Sequence, residues 1–188
     1  MAVYFLVGNS EWQDIIQLRR QIRDMLIDYW HTYSLFSINW WLLLTSTIIF
    51  FIIWVIILDK RRIIEIASFG LIIGTTTFIM DIIGNSLVLW SYPDRIIPMI
   101  TPILEIHHAQ LPIIYMIVYQ YFSTWKSFFI ALSTTSFVFS FMLEPLTMWL
   151  GIYEIYHWKY IYSFPIYILI GCVFRLILLK VKQIEKAE

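Results

Sequence analysis

Residues 38–58 read INWWLLLTSTIIFFIIWVIIL, an apolar run without a charged side chain. An α-helix needs about 20 apolar residues to cross the roughly 30 Å hydrocarbon core of a bilayer, so this run predicts a transmembrane helix. The sequence therefore predicts an all-α protein, a polytopic transmembrane helix bundle of about five spanning helices. The other four predicted spans cover residues 63–89, 103–122, 127–150 and 163–179.

The composition agrees with a membrane protein. Of 188 residues, 60% are hydrophobic and 14% are charged, whereas soluble chains carry about 25% charged residues. The formal net charge is zero, which argues against a nucleic-acid partner because such proteins carry a basic surplus on one face. The single cysteine, Cys172, excludes an internal disulfide. The lipid bilayer is the expected partner, and no cofactor is predicted.

An amphipathic helix is predicted ahead of the first span, over residues 11–29. Its apolar side chains fall on one arc at 100° per residue, and polar side chains occupy the other arc. Because it carries many charges, we expect it to lie along the membrane interface. The alternative is a soluble helix packed on a partner. The predicted organisation is an interfacial segment (1–37), a transmembrane bundle (38–180) and a short charged tail (181–188).

Basic residues in the short connections predict the orientation, because such residues are retained on the cytoplasmic side. They cluster in the connections that would share one side with the carboxyl terminus, whereas the opposite connections hold Arg95 and Lys159. We therefore expect a multi-pass membrane protein with its amino terminus outside and its carboxyl terminus in the cytoplasm. Three arginines of the amino-terminal segment, Arg19, Arg20 and Arg23, favour the opposite orientation.

A few polar side chains interrupt the apolar spans. Steps of three and four residues place Gly70, Gly74, Asp81 and Asn85 on one stripe of the second span. The glycines are typical of a helix-packing face, but Asp81 is not. A buried charge in a membrane costs several kcal/mol unless it is paired, neutralised or hydrated. We therefore expect the acids of three spans to converge on an outward-opening polar pocket formed by Asp81, Asn85, Glu105, His108, Glu144 and Glu154.

Two other interpretations of these acids remain open. Protonated carboxyl groups could simply hydrogen-bond neighbouring helices together. Alternatively, Glu-x-x-His occurs at Glu105–His108 and at Glu154–His157, and with further carboxylates this is the ligand inventory of a di-iron helix bundle. The residues of that alternative metal site are Glu105, His108, Glu144, Glu154 and His157. The main prediction is a site without metal.

From about residue 30 to 167 the chain resembles an uncharacterised family of small multi-pass membrane proteins from endospore-forming bacteria. The matching stretches include DIIG at 81–84, LWSYP at 89–93, EP at 144–145, WLGIYE at 149–154 and WKYIYSFP at 158–165. The resemblance implies a bacterial membrane location and no assigned reaction. It favours Asp81, Glu144 and Glu154 over residues 105–110, which depart from the family pattern.

Two functions are compatible with this pattern, and the sequence does not decide whether the protein is an enzyme. In the first, the pocket binds a lipid or another small molecule, or the protein is a subunit of a membrane complex, with a membrane-protein partner or as a homo-oligomer. In the second, the protein is a membrane-embedded enzyme that acts on a lipid-soluble, isoprenoid-like substrate. Burial raises the pKa of a carboxyl group, so Asp81 or Glu144 could serve as its general acid.

Overall fold

The computed structural model describes residues 2–99, 103 and 105–185, with the side chains of 2–9, 107 and 108 outside that description. The described chain is mainly helical, with one pair of two-residue strands. The helices are α1 (Ala2–Tyr29), α2 (Ile38–Ile57), α3 (Ile63–Ser86), α4 (Leu111–Tyr121), α5 (Trp125–Val138), α6 (Glu144–Trp149) and α7 (Tyr160–Glu185), and the strands are β1 (Trp90–Ser91) and β2 (Glu154–Ile155).

Four helices of the described chain are long and apolar enough to cross a membrane. They span Ile38–Ile57, Lys60–Ser86, Trp125–Trp149 and Tyr160–Glu185. The remaining predicted span contains α4, which is shorter than these four and is preceded by a π-helical turn over Glu105–Gln110. The all-helical prediction is therefore confirmed, and four of the predicted spans contain a helix of spanning length.

Three π-helical turns widen the helices. One continues α1 over Trp30–Ser34, one precedes α4, and one joins α5 to α6 over Phe139–Leu143. The last two are followed by Pro112 and Pro145. Proline has no N–H and its ring clashes with the carbonyl four residues earlier, so each proline favours a wider helical turn just before it. A π turn also rotates the residues that follow it relative to a regular helix.

The core forms where α3, α4, α5 and α7 pack around one another. Small residues allow the close approach of α3 to α4, since a Cβ on Gly70 would collide with the Met116 side chain. At the contact between α5 and α7, a Cβ on Gly171 would press on Leu132 and Tyr115. The predicted role of the α3 glycines in helix packing is therefore confirmed at Gly70.

The basic connections meet at one end of the bundle. Glu65, near the start of α3, accepts from Lys182 near the end of α7 at 2.7 Å and from Arg62 at 3.1 Å. The Tyr119 hydroxyl of α4 donates to the same carboxylate at 2.6 Å. Arg175 of α7 donates to the Phe122 carbonyl at 2.8 Å and to that of the following residue, in the connection between α4 and α5.

Helix α1 confirms the amino-terminal helix that its periodicity predicts. Its apolar side chains are exposed, with Trp12 at 52% and Met25 at 71% of their full accessible surface. Among the described elements, α1 makes its extensive contacts with the π turn that follows it. Its apolar face is therefore not covered by the described bundle, and its location at a membrane interface stays a prediction.

Candidate functional site

A cavity of about 330 Å³ lies at the end of the bundle opposite the basic connections. Side chains of α2, α3, α4, α6 and α7 form its wall, together with the two π turns that flank it and the connections after α3 and α6. Most of the lining is apolar. Its polar and aromatic hydrogen-bonding side chains are Ser46, Thr77, Asp81, Trp90, Tyr92, Gln110, Glu144, Thr147, Tyr153, Trp158, Ser163 and Tyr167.

Asp81 is buried in this wall, with 2% of its surface exposed. Its Oδ1 accepts a hydrogen bond from Trp90 Nε1 at 2.6 Å and another from the Tyr92 hydroxyl at 2.7 Å. Both donors therefore engage the same carboxyl oxygen. Gly84, one turn further along α3, makes room for this arrangement, because a Cβ there would overlap the Trp90 ring.

Glu144 lines the same cavity from α6. Its Oε1 accepts from the Tyr167 hydroxyl at 3.0 Å, and its Oε2 accepts from the Ser163 hydroxyl at 3.2 Å. Ser163 in turn accepts from Trp158 Nε1 at 2.9 Å. Aromatic donors therefore hold both acids of the cavity. Asp81 is bound directly by an indole and a phenol, and Glu144 is bound directly by the Tyr167 phenol and, through Ser163, by the Trp158 indole.

Glu144 is the residue that directly follows the π turn of the α5–α6 helix. The regular 3.6-residue spacing of the sequence aligns it with Ser136 and Ser140. In the structure those serines are fully buried outside the cavity wall, whereas Glu144 reaches the cavity. We attribute the difference to the extra rotation that a π turn introduces.

A two-stranded antiparallel pair closes the end of the cavity. Trp90 of β1 pairs with Ile155 of β2, and the Leu89 carbonyl accepts from the Tyr156 and His157 amides at 2.9 and 3.1 Å. The Trp90 and Trp158 rings meet edge to face, with their centroids 5.0 Å apart. The connections after α3 and α6 thus form one cap, and this cap carries the indoles that serve the two acids.

The electrostatics of the cap reflect both acids. Burial raises the pKa of Tyr153, and the nearby carboxylates of Glu144 and then Asp81 raise it further. Burial, followed by the negative charge of Asp81, raises the pKa of Tyr92 well above its ordinary value. Both phenols therefore stay neutral at physiological pH, and a single phenol feels the charge of both acids. The two carboxyl groups thus belong to one electrostatic site.

A buried arginine, Arg95, stabilises the connection after α3 that forms part of the cap. Arg95 donates from Nε and Nη2 to the Tyr92 carbonyl at 3.1 and 2.5 Å. Burial lowers the pKa of Arg95, and the charge of Glu105 opposes that shift. Glu105 itself accepts from the Ile96 amide at 3.0 Å. These contacts fix the connection that carries Tyr92 and so fix the donor to Asp81.

Three of the other predicted pocket residues, Asn85, Glu105 and Glu154, lie outside the cavity wall. Asn85 donates to the Trp90 carbonyl at 3.3 Å, and Glu105 supports the connection as described above. Glu154 is exposed on β2 and accepts from the Tyr156 hydroxyl at 2.6 Å. The side chain of His108 is not among those that the structure describes. Of the six predicted residues, Asp81 and Glu144 line the cavity.

The alternative metal site gains no support from the described geometry. Among the residues that the structure describes, no three His, Cys, Asp or Glu side chains gather where they could hold a metal ion. Glu154 and His157 lie on a strand and the bend after it, so the helical spacing that the di-iron pattern requires is absent there.

The sequence pattern does not identify the donors of the site. Aromatic residues near the ends of apolar spans, such as Trp90, Tyr92 and Trp158, are also typical of the membrane–water interface, and Tyr167 lies within an apolar span. The usable signal was that Trp N–H and Tyr O–H groups require a hydrogen-bond partner when they are buried. These aromatic residues lie near the ends of spans that carry a lone acid, so the acids are their natural acceptors.

Comparison of the chain with protein-family models, with curated proteins and with solved structures found no match. The resemblance to the family of small bacterial membrane proteins therefore stays a prediction, and the case for function rests on the geometry of the site.

Proposed function

We propose that this chain is a multi-pass protein of the bacterial cell membrane whose cavity binds an apolar ligand with a cationic or hydroxyl head group. The exposed apolar surface supports a membrane location. In the most apolar window of α2 only 6% of the residues are buried inside the protein, and side chains such as Ile49 and Ile56 point away from it. Such a surface is stable in lipid and unfavourable in water.

The arrangement of charges supports the orientation proposed here. The contacts of Glu65 and Arg175 bring three basic connections to one end of the bundle, and the cavity lies at the other. Basic connections are retained on the cytoplasmic side. We therefore assign the cavity to the outer half of the membrane, with α4 and the π turn before it as the fifth crossing segment.

The two carboxyl groups carry the proposal for the ligand. Asp81 and Glu144 offer hydrogen-bond acceptors, and the donors beside them are already engaged with these same acids. A ligand that hydrogen-bonds to these acids therefore needs a donor of its own. Aromatic faces attract cations, and Trp90, Tyr153 and Trp158 line the cavity. An ammonium group on an apolar chain satisfies the acids, the aromatic rings and the apolar wall together.

Thermal unfolding with three twelve-carbon probes tests this proposal. A ligand that binds the folded state raises its stability according to concentration and affinity. Dodecylamine is expected to raise the unfolding temperature, dodecanol to raise it less, and dodecanoate to leave it unchanged, because the two acids of the cavity repel a third carboxylate. The increase with dodecylamine is expected to disappear in the Asp81→Asn, Glu144→Gln double variant.

The matched control is Glu154→Gln, which removes an exposed carboxyl group outside the cavity and is expected to keep the response to dodecylamine. Stabilisation by dodecanoate equal to that by dodecylamine would contradict the proposal. So would an unchanged dodecylamine response in the double variant.

A second candidate function follows from the same pair of acids. Two carboxyl groups that share an apolar, aromatic cavity could protonate and deprotonate an isoprenoid-like substrate. This enzyme hypothesis predicts a new product in lipid extracts of a bacterial host that makes long-chain prenyl diphosphates. Mass spectrometry of extracts from cells with the wild-type chain and with the double variant tests it. Identical extracts would rule out this chemistry on the substrates of that host.

A further inference from the structure

The cavity wall is not closed all the way around. Contacts between neighbouring elements run from α2 to the π turn before α4, from there to α3, from α3 to α7, and from α7 to the π turn before α6. No extensive contact in the described chain joins α6 back to α2. The wall therefore has a seam between α2 and α6.

At the capped end, the described residues bridge this seam through one hydrogen-bonded side chain of α2 and through the apolar cluster that contains Leu43 of α2 with Ile152 and Tyr153 after α6. Asn39, in the first turn of α2, donates to the Leu150 carbonyl just after α6 at 2.7 Å and to Asp94 Oδ2 at 2.6 Å. One turn away from this bridge on each side, Leu42 of α2 and Leu146 of α6 line the cavity. These two side chains are 41% and 47% exposed, and Leu143, the last residue of the π turn before α6, is similar at 38%. Residues that face both the cavity and the outside mark an opening.

We infer that the seam between α2 and α6 is a lateral portal through which a single-chain, membrane-dissolved amphiphile enters the cavity directly from the bilayer. This inference rests on the proposed function and specifies the source of its ligand. Leucines on helices of spanning length border the seam, and the cap of paired strands covers the end of the cavity that would face water. An apolar chain can pass between these leucines without leaving the lipid, whereas a water-soluble ligand has to pass the cap.

The portal is tested by the rate of ligand exchange, since equilibrium occupancy does not depend on the route of entry. The probe is dodecylamine with a diazirine in its chain, loaded onto the protein in phosphatidylcholine nanodiscs. Excess unlabelled dodecylamine is then added, and samples are illuminated after different times. Light crosslinks the probe that is still bound to the protein. Peptide mass spectrometry follows the loss of label from the cavity lining.

Leu42→Trp and Leu146→Trp place a large ring in the seam, and the double variant is expected to slow exchange roughly tenfold. Asn39→Ala removes both bonds of the bridge and is expected to speed exchange. The matched controls, Ile49→Trp on α2 and Met142→Trp just before α6, alter exposed apolar residues that do not line the cavity. They are expected to exchange at the wild-type rate.

The outcomes separate the portal from the binding site. Cavity labelling that exchanges equally fast in the wild type and the double tryptophan variant would overturn the portal and leave the proposed function intact. Slowing by the control variants as strong as that by the portal variants would also overturn it. A wild-type protein that shows no label in the cavity before the chase would overturn the proposed function, and the portal with it.

Discussion

The carboxyl group of Asp81 both accepts hydrogen bonds from the cap and lines the cavity. Its Oδ1 satisfies the Trp90 indole and the Tyr92 hydroxyl, and its carboxyl group forms part of the cavity wall. A buried indole N–H without an acceptor is costly, so the acid stabilises the cap as well as the site. A change at Asp81 therefore affects stability and binding together, and the two effects have to be measured separately.

The bond between Trp90 and Asp81 can be isolated by a double-mutant cycle. Trp90→Phe removes the N–H and keeps an aromatic ring, and we expect it to lower the free energy of unfolding by about 2 kcal/mol, the scale of a hydrogen bond to a charged group. In an Asp81→Ala background, which leaves no acceptor on this side chain, the same change is expected to cost clearly less. Denaturant titration in detergent micelles measures both values.

Trp149→Phe is the matched control, because Trp149 is 82% exposed; we expect it to leave the free energy of unfolding nearly unchanged. Equal costs of Trp90→Phe with and without the Asp81 carboxylate would show that the hydrogen bond contributes nothing to stability.

The raised pKa of Tyr92 predicts loss of stability at alkaline pH. Burial is the main cause and the charge of Asp81 adds to it. A phenol with a raised pKa holds its proton in the folded state after the unfolded chain has lost it, which occurs from about pH 10 upward. The free energy of unfolding is therefore expected to fall above pH 10, by up to about 1.4 kcal/mol per pH unit for each such group.

The pH dependence is measured by denaturant unfolding between pH 8 and pH 12, approximately the range that brackets the ordinary tyrosine pKa. Tyr92→Phe lacks the ionisable hydroxyl and is expected to show a shallower decline above pH 10. A variant with the wild-type slope would rule out Tyr92 as a source of the alkaline instability.

At the scale of single elements, the end of α3 is strained. Val88 has a φ of 53°, in the left-handed region, and its amide and that of Leu89 donate back to Asn85 and Gly84. Glycine is the usual residue at this position of a helix end, because a Cβ is unfavourable there. Val88→Gly is expected to raise the free energy of unfolding by about 1 kcal/mol, as measured by denaturant titration.

Val181→Gly is the matched control, since Val181 is similarly exposed, at 53%, but lies within α7. There, glycine is expected to destabilise the protein by roughly 0.5 kcal/mol. Opposite signs for the two variants support the strain at Val88, and a loss of stability in both would contradict it.

The helices were predictable from sequence because apolar runs and 3.6-residue spacing are local signals. The pairing of β1 with β2 was not, because the two strands lie in different connections and have two residues each. Regular spacing puts Asp81 on the polar stripe of the second predicted span, and Asp81 lines the cavity from α3. The π turns at Glu105–Gln110 and Phe139–Leu143 alter that spacing, so the sequence could not predict which side chains around Glu144 reach the cavity.

At the scale of the whole molecule, the proposed orientation puts the two ends of the bundle on opposite sides of a membrane. In this proposal the cavity and its cap face outward, and the basic connections face the cytoplasm. Lys159 lies in the cap and Lys126 at the start of α5 near the basic end. Both side chains are exposed, so both positions tolerate cysteine substitution.

In a Cys172→Ser background, Lys159→Cys is expected to react with a membrane-impermeant maleimide in intact cells. Lys126→Cys is expected to react only after the cells are opened. Mass shift on a gel measures the labelling, and permeabilised cells serve as the control for reactivity. Labelling of Lys126→Cys alone in intact cells would reverse the orientation.

We propose that the cavity retains an apolar ligand through Asp81 and Glu144. Native mass spectrometry of the gently solubilised protein tests this proposal, with Glu154→Gln as the control. A bound adduct is expected on the wild type and the control, and it is expected to be lost from the Asp81→Asn, Glu144→Gln double variant. A bare chain mass for the wild type, or the same adduct on the double variant, would contradict it.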